Sequence, residues 1–324
     1  MKADLGDILN KEKIMVIDGS MSTPLERMGA DLNDELWTAG ILRDQPELIK
    51  KVHLDYFRAG ADCGITASYQ ATIPGLIKKG LTEAEAEDII ASSVRIFREA
   101  RDEWWEAEGG ASGREYPLCL GSVGPYGAYL ADGSEYRGNY SISDDELRVF
   151  HRRRMELLKD AGADMLLIET IPSRREAMIA QDLAEELDID YWISFSCMSG
   201  KSICEGDLIR DCVTELVKDH PHLRMIGVNC TDPRFIVSLI GEIKAGLTEA
   251  ERDIPIGVYP NSGEKYDPRT KTWTKAGEGL AFGAYAYEYM KAGADAVGGC
   301  CTTVASHIRQ VAEARDRFLR ERSE

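Results

Sequence analysis

The stretch LLKDAGADMLLIETI, residues 157–171, joins an amphipathic helical pattern to a buried apolar run through the tetrapeptide Ala-Gly-Ala-Asp. The same tetrapeptide occurs in YFRAGADCGITASYQ (56–70) and in YMKAGADAVGGCC (289–301). Glycine allows the left-handed backbone that ends a helix, and the apolar residues that follow are typical of a buried strand. Each copy therefore predicts the joint between a helix and the next strand of a repeated βα unit.

Short apolar runs occur eight times along the chain, and helical patterns such as residues 82–107 and 145–162 separate most of them. This alternation predicts an α/β fold with a closed parallel sheet, a (β/α)8 TIM barrel. A doubly wound sheet is the alternative, but it would show fewer strands and a GxGxxG turn after the first strand, which this sequence lacks. With no linker in sight, we expect a single domain over residues 1–324. The eight runs are KIMVIDG (13–19), CGITASY (63–69), LCLGSVG (118–124), MLLIET (165–170), YWISFS (191–196), RMIGVNC (224–230), PIGVYPNS (255–262) and AVGGCC (296–301).

Composition and charge restrict the classes of partner. The chain has 324 residues, of which 44% are hydrophobic, and its formal net charge is −17. Such an acidic chain is a poor match for nucleic acid or for an anionic membrane surface, because both require clusters of lysine and arginine. The opening, MKADLGDILNKEK, lacks the apolar segment of a signal peptide, and no apolar run is long enough to span a bilayer. We expect a cytoplasmic protein that acts on small molecules, and the sequence leaves its oligomeric state unknown.

The eight cysteines are widely spread, which favours free thiols or metal ligands over a disulfide framework. Histidine supplies no comparable candidate. His220 and His222 precede the sixth predicted strand, and active sites of such barrels lie at the opposite, carboxyl ends of the strands. The residues that end strands are therefore the candidates for chemistry.

Three cysteines end strands: Cys230 ends the sixth, and Cys300 and Cys301 end the eighth. Two adjacent cysteines can share one metal ion only where the strand breaks down, and Gly298 and Gly299 allow such a departure. The sixth and eighth strands are one strand apart, so their ends can converge. Three cysteines fit a Zn²⁺ ion with one position left open. A vicinal disulfide, two buried core residues and a glycine-rich phosphate site are the alternatives.

A site with three thiolates suits a particular chemistry. The sulfurs already donate strongly to the metal, so the site is a poor generator of hydroxide but can bind and deprotonate a substrate thiol. Just after the two cysteines, Thr302 or Thr303 is expected to cap the last helix.

Two long polar loops follow the third and seventh strands, on the expected side of the active site: GPYGAYLADGSEYRGNYSISDD (124–145) and NSGEKYDPRTKTWTKAGEG (261–279). Loops in this position are often lids or binding loops. Their aromatic residues are candidates for binding a cationic ligand. These residues are Tyr126, Tyr129, Tyr136, Tyr266 and Trp273.

Motifs along nearly the whole chain resemble those of the homocysteine S-methyltransferases, zinc-dependent (β/α)8 enzymes. The pair GVNC and GGCC is specific to that family, and GPYGAYLADGSEY resembles the branch that uses S-methylmethionine or S-adenosylmethionine. The matching segments are IDGSMSTPLE (17–26), DLNDELWTAG (31–40), HLDYFRAGAD (53–62), ITASYQAT (65–72), GSVGPYGAYLADGSEYRGNY (121–140), LLIETIPSRREA (166–177), IGVNC (226–230), VYPNSGEKYD (258–267) and GGCC (298–301).

The resemblance implies roles for individual residues. It makes Cys230, Cys300 and Cys301 the zinc ligands and catalytic residues, and it assigns Asp18 and Glu169 to the amino acid part of homocysteine. A helix cap at Asp18 and an arginine partner for Glu169 are the structural alternatives. Further substrate contacts are predicted within the same motifs, at Gly19, Ser20, Gln70 and Asn261.

The implied reaction transfers a methyl group from a sulfonium donor to homocysteine and yields methionine. A betaine-dependent or other-donor thiol methyltransferase of the same fold is one alternative, and a corrinoid-linked methyltransferase subunit is another. Outside this chemistry, the alternatives are a lyase or aldolase with a lysine Schiff base and a thiol-based metal or redox sensor. The chain departs from the family at Thr302, where an arginine is usual, at Val304–Ala305, and at Cys197 and Cys204.

Overall fold

A parallel eight-stranded barrel forms the centre of the protein, as predicted. The computed structural model describes residues 2–32, 38–263, 265–267, 272–274 and 281–324. Each of the eight apolar runs overlaps a barrel strand. The strands are β1 (Met15–Val16), β2 (Cys63–Ile65), β3 (Leu118–Val123), β4 (Met165–Ile171), β5 (Tyr191–Phe195), β6 (Leu223–Asn229), β7 (Ile256–Tyr259) and β10 (Ala296–Val297).

The strand order is β1-β10-β7-β6-β5-β4-β3-β2, and all seven neighbouring pairs are parallel. Aspartates help to close the seam between β1 and β2. The amide of Asp62 donates to the carbonyl of Val16 at 2.7 Å, and the Asp62 carboxylate accepts from the Val16 amide at 2.8 Å. At the carboxyl end of the same seam, Asp18 Oδ2 accepts from the amide of Ile65 at 3.0 Å.

Helices alternate with these strands and cover the outside of the barrel. The long predicted helices over residues 82–107 and 145–162 are confirmed, and each begins with a capping box, at Thr82 and at Ser143. The helices are α1 (Leu5–Glu12), α2 (Ser22–Arg27), α3 (Thr38–Asp44), α4 (Pro46–Ala59), α5 (Ile73–Lys78), α6 (Glu83–Ala107), α7 (Tyr126–Leu130), α8 (Asp144–Asp160), α9 (Arg174–Glu186), α10 (Ile209–Leu216), α11 (Ile236–Glu249), α12 (Phe282–Ala292) and α13 (Ala305–Ser323).

The three Ala-Gly-Ala-Asp segments are helix-to-strand joints, as predicted. Their glycines, Gly60, Gly162 and Gly293, have φ angles of 111°, 95° and 99°, which only glycine adopts without strain. The strands that follow are β2, β4 and β10.

Side chains alternate between two apolar layers along the strands. Leu118 and Leu120 of β3 point into the barrel, where they join Leu167 and Trp192 in one buried cluster. Cys119, between the two leucines, belongs to the layer that packs against the helices. This period of two follows from strand geometry, and the side chains that point inward fill the barrel interior.

The carboxyl ends of the strands are the open side of the molecule. At the opposite end, His222 contacts Asp190 just before β5 and β6, so this histidine lies at the amino ends of the strands, as predicted. The long loop after β7 carries a short hairpin, β8 (Lys265–Asp267) with β9 (Thr272–Thr274). No helix in the described part of the chain has the length and apolarity needed to cross a membrane.

Candidate metal centre and substrate cavity

The three predicted cysteines meet at the carboxyl ends of β6 and β10. The Sγ atoms of Cys230 and Cys301 are 3.4 Å apart, and those of Cys300 and Cys301 are 4.0 Å apart. Strand β7 lies between β6 and β10, so cysteines that are seventy residues apart in sequence become neighbours in space. None of the eight cysteines, all of which are described, forms a disulfide.

Backbone geometry at the strand ends brings the sulfurs together. Cys230 follows the last residue of β6 with a φ of 48°, a left-handed conformation that costs a residue with a side chain some strain. Gly298 and Gly299 contribute through close packing rather than through positive φ angles. A Cβ atom at residue 298 would lie 2.5 Å from the Cβ of Ile17, and one at residue 299 would lie 2.5 Å from the hydroxyl of Thr303.

The cysteine cluster favours one negative charge even without a metal. Hydrogen bonds from the thiols of Cys300 and Cys301 hold the pKa of Cys230 well below its ordinary value, and the Tyr136 hydroxyl adds a third. The same bonds with Cys230 raise the pKa values of Cys300 and Cys301. A metal cation would reverse this second effect, because it stabilises all three thiolates.

The donor set fits a thiophilic metal ion. In the described part of the chain, Cys230, Cys300 and Cys301 are the one group of three or more Cys, His, Asp or Glu side chains that could hold a metal, with their ligand atoms within 4.8 Å of one another. Tetrahedral zinc with Zn–S distances of about 2.3 Å needs sulfurs about 3.8 Å apart, close to the separations found here. Three cysteines leave the fourth position of such a site for another ligand.

The sulfurs face a cavity of about 150 Å³. Of the predicted substrate contacts, Gly19, Ser20, Gln70 and Glu169 line it. Asn261 is buried outside the lining, and its Oδ1 atom has no hydrogen-bond partner among the described residues. The full lining is Gly19, Ser20, Met21, Ser22, Ile65, Thr66, Ala67, Tyr69, Gln70, Glu135, Tyr136, Glu169, Thr170, Cys230, Tyr259, Gly299, Cys300 and Cys301.

Glu169 lies inside a network of three donors. Its Oε1 accepts from Ser122 Oγ at 2.5 Å, and its Oε2 accepts from Tyr259 at 3.1 Å and from Asn229 Nδ2 at 3.4 Å. Burial nevertheless raises the pKa of the Glu169 carboxyl to about 7, although the bonds from Ser122 and Tyr259 lower it. The alternative of an arginine partner finds no support among the described contacts.

Asp18 lies behind the cavity wall, next to the lining residues Gly19 and Ile65. Its Oδ2 closes the barrel seam, and its Oδ1 is buried with no hydrogen-bond partner among the described residues. Burial raises the pKa of this carboxyl well above its ordinary value, and the nearby Glu169 carboxylate raises it further. A buried carboxyl group whose negative charge is disfavoured in this way is well suited to a nearby cation.

Sequence reasoning missed several residues of the cavity, of which Glu135 is the most prominent. Tyr259, which lines the cavity, and Asn229, which lies behind it as a donor to Glu169, end strands β7 and β6, so the rule that found the cysteines could have found them. Glu135 belongs to a 3-10 turn, Ser134–Tyr136, inside the loop after β3, where no strand end marked it. Tyr136 confirms the expectation that this loop brings an aromatic residue to the cavity.

The other singled-out loop residues have different positions. Tyr126 and Tyr129 pack against Phe150 instead of lining this cavity. The side chains of Tyr266 and Trp273 lie outside the described part of the protein.

The expectation that Thr302 or Thr303 caps the last helix is wrong. Helix α13 begins after Val304, whose amide donates to His307 Nδ1 at 3.1 Å. Thr303 Oγ1 instead accepts from the amide of Ser20 at 3.1 Å and donates to the carbonyl of Cys300 at 2.6 Å. Thr302 bonds through its hydroxyl to Ser262 Oγ at 2.5 Å, which connects the loops after β7 and β10.

Comparison with known proteins identifies the same family, over most of the chain. The sequence model of the family described as homocysteine S-methyltransferase matches residues 15–315. The homocysteine S-methyltransferase YbgG of Bacillus subtilis (strain 168) is 51% identical over 306 residues, which cover 94% of this chain and 95% of that protein. The homocysteine S-methyltransferase of Escherichia coli (strain K12) is 44% identical over 303 residues, covering 93% and 95%.

Among solved structures, the metallated form of the homocysteine methyltransferase MmuM from Escherichia coli superposes with a TM-score of 0.85. It is 38% identical in the aligned residues, which cover 95% of this chain and 99% of that chain. That protein shares the barrel and exists in a form that contains a metal.

Proposed function

Because the chain belongs to the homocysteine S-methyltransferase family, we propose that it methylates homocysteine to methionine with zinc as cofactor and a sulfonium compound as methyl donor. The donor is S-methylmethionine or S-adenosylmethionine. The observation that carries the proposal is that three cysteine sulfurs converge on one cavity, which the side chain of Glu169 also lines. Thiol ligands and a carboxylate together match a substrate that has both a thiol and an ammonium group.

Cys230, Cys300 and Cys301 would hold the zinc ion. When bound, zinc supplies a Lewis acid that lowers the pKa of a thiol and keeps its sulfur nucleophilic at neutral pH. The metallated form of the Escherichia coli relative supports the proposal that this chain binds a metal.

The carboxyl groups of Glu169 and Asp18 would bind the ammonium group of homocysteine. The candidate acceptors are Asp18 Oδ1, which has no hydrogen-bond partner among the described residues, and Glu169 Oε2, which also accepts from Tyr259. Ser20 and Gln70 line the same cavity and can hydrogen-bond the substrate's carboxylate. These contacts would fix the direction in which the substrate sulfur points.

The methyl transfer is a direct displacement. An electron pair of the homocysteine thiolate forms the new S–CH₃ bond, and the pair of the breaking CH₃–S bond returns to the donor sulfur, which becomes a neutral thioether. This leaving group needs no proton, so the reaction needs no general acid. The protein would contribute by holding the thiolate and the methyl carbon in line and by excluding water.

The domain count, the location and the class of partner are proposed from the sequence and fold of this chain. We propose one barrel domain, a cytoplasmic location, and small molecules as partners. A lysine-dependent lyase is disfavoured, because none of the described side chains that line the cavity is a lysine. The segment GPYGAYLADGSEY, with its resemblance to the S-methylmethionine branch, favours a sulfonium donor over betaine.

The test is methionine formation from homocysteine with each of S-methylmethionine, S-adenosylmethionine and betaine. We expect activity with a sulfonium donor, about one zinc per chain, and loss of both metal and activity in a Cys230→Ser variant. The matched control is Cys204→Ser, because Cys204 lies outside the cavity lining. No methionine from any donor, or full activity without metal, would overturn the proposal.

A further inference from the structure

Among the described residues, two carboxyl groups line the cavity, those of Glu135 and Glu169, and they differ in how they are bonded. Both oxygens of Glu169 accept hydrogen bonds from the protein. Glu135 Oε2, in contrast, is buried and has no hydrogen-bond partner among the described residues. A buried acceptor without a partner is costly, so its presence calls for a ligand that supplies the missing contact.

The surroundings of Glu135 do not neutralise it. None of the described side chains that line the cavity is a lysine, arginine or histidine. The nearby Arg137 is exposed and pairs with Asp132 and with Ser134 Oγ. Burial, with a smaller effect of the neighbouring Cys230, raises the pKa of the Glu135 carboxyl to about 7. A cation in the cavity would relieve both effects.

Glu135 is held firmly at the sulfur side of the cavity. Its carbonyl accepts from Ser196 Oγ at 3.0 Å, and its amide packs so closely on Gly127 that a Cβ there would lie 2.5 Å away. The next residue, Tyr136, contacts the Cys230 sulfur at 3.2 Å. The Glu135 carboxyl therefore belongs to the wall beside the sulfurs.

We propose that Glu135 recognises the positive charge of the methyl donor and thereby selects a cationic donor. This inference rests on the proposed function and adds the residue that determines donor choice. The ammonium group of homocysteine already has candidate partners in Asp18 and Glu169, which leaves Glu135 for the second substrate.

The proposal has a consequence for turnover. The donor enters as a cation and, once its CH₃–S bond breaks, leaves as a neutral thioether. Glu135 would therefore attract the substrate and release the product. Because the positive charge decreases as the methyl group moves, the interaction is stronger in the ground state than in the transition state and contributes to KM more than to kcat.

The experiment compares two methyl donors that differ in charge, S-methylmethionine and methyl iodide, in zinc-loaded protein. For Glu135→Gln, which keeps the side-chain shape, we expect KM for S-methylmethionine to rise about tenfold or more while kcat changes less. The ratio of the S-methylmethionine rate to the methyl iodide rate, corrected for the uncatalysed reaction, should fall by a similar factor. The KM for homocysteine should stay within about twofold of the wild-type value.

Asp132→Asn is the matched control, since it removes one carboxylate from the exposed part of the same loop. This variant should leave the ratio of the S-methylmethionine rate to the methyl iodide rate unchanged. An equal loss with both methyl donors in Glu135→Gln, or no loss with either, would overturn the inference while leaving the proposed function intact. Absence of methionine from every sulfonium donor in the wild-type protein would instead overturn the proposed function, and the inference with it.

Discussion

The hydroxyl group of Tyr136 lies within hydrogen-bonding distance of the sulfur of Cys230, at 3.2 Å, and this contact lowers the pKa of the Cys230 thiol. The tyrosine comes from the loop after β3 and the cysteine from the end of β6, so this contact connects the loop to the candidate metal centre. It is the kind of outer contact that orients a metal ligand.

We expect Tyr136→Phe to weaken zinc binding by about tenfold, because outer partners of metal ligands typically contribute that much to affinity. Competition with a chelator measures this. Tyr129→Phe is the control, since that ring belongs to the same loop and packs on Phe150. Equal affinities in wild type and Tyr136→Phe would show that the contact has no part in metal binding.

Glu169→Gln should raise the KM for homocysteine by about tenfold or more, because the variant keeps the hydrogen-bonding shape but loses the charge that attracts the ammonium group. Zinc content should remain near that of the wild type, which separates substrate binding from metal binding. Steady-state kinetics with varied homocysteine, together with metal analysis, measure both. An unchanged KM would contradict the assignment of Glu169.

Gly298→Ala tests the close packing behind the cysteine pair. The new methyl group would lie 2.5 Å from the Ile17 Cβ and 2.7 Å from the Ile17 carbonyl oxygen. We expect a loss of about 1–3 kcal/mol in the free energy of unfolding, together with weaker metal binding as Cys300 is displaced. Gly241→Ala, in α11 with open space around its Cβ, should be neutral or stabilising by up to about 1 kcal/mol. Denaturant unfolding of both variants decides, and equal stabilities would contradict the packing argument.

The buried histidine of α4 predicts acid sensitivity. His53 is 1% exposed, and neither ring nitrogen has a hydrogen-bond partner among the described residues. Burial lowers its pKa to about 3. As the pH falls below about 6.5, the unfolded chain takes up a proton at this residue that the folded protein does not, so stability is lost from pH 6.5 downward.

Relative to a His53→Leu variant, the wild type should therefore lose about 2 kcal/mol of unfolding free energy at pH 5 compared with its value well above pH 6.5. Urea unfolding of both proteins at pH 8 and at pH 5 gives this double difference, in which effects of packing that do not depend on pH cancel. A double difference near zero would mean that His53 titrates normally in the folded protein.

Much of the barrel could be predicted because its signals are local. The glycines of the Ala-Gly-Ala-Asp joints end helices wherever the chain is placed, and a buried strand needs an apolar run. The cysteine cluster followed from one further rule, that the carboxyl ends of the strands of a barrel share one face. Cys230 and Cys300 needed no knowledge of side-chain contacts.

The remaining features depend on contacts between distant parts of the chain. Thr303 has the chemistry of a helix cap, but its hydroxyl oxygen instead accepts a hydrogen bond from the amide of Ser20, 283 residues away in sequence. The donors to Glu169 are likewise set by the arrangement of β3, β6 and β7. Glu135 is placed by a loop whose conformation depends on its packing against the barrel, and no local pattern marks it.

X-ray absorption at the zinc edge, measured with and without homocysteine, tests whether the three cysteines hold zinc with one position left for the substrate sulfur. We expect three sulfur neighbours from Cys230, Cys300 and Cys301 in the protein alone, and a fourth sulfur when homocysteine is added. A sulfur count that does not change on adding homocysteine, or a protein that binds no zinc, would contradict it.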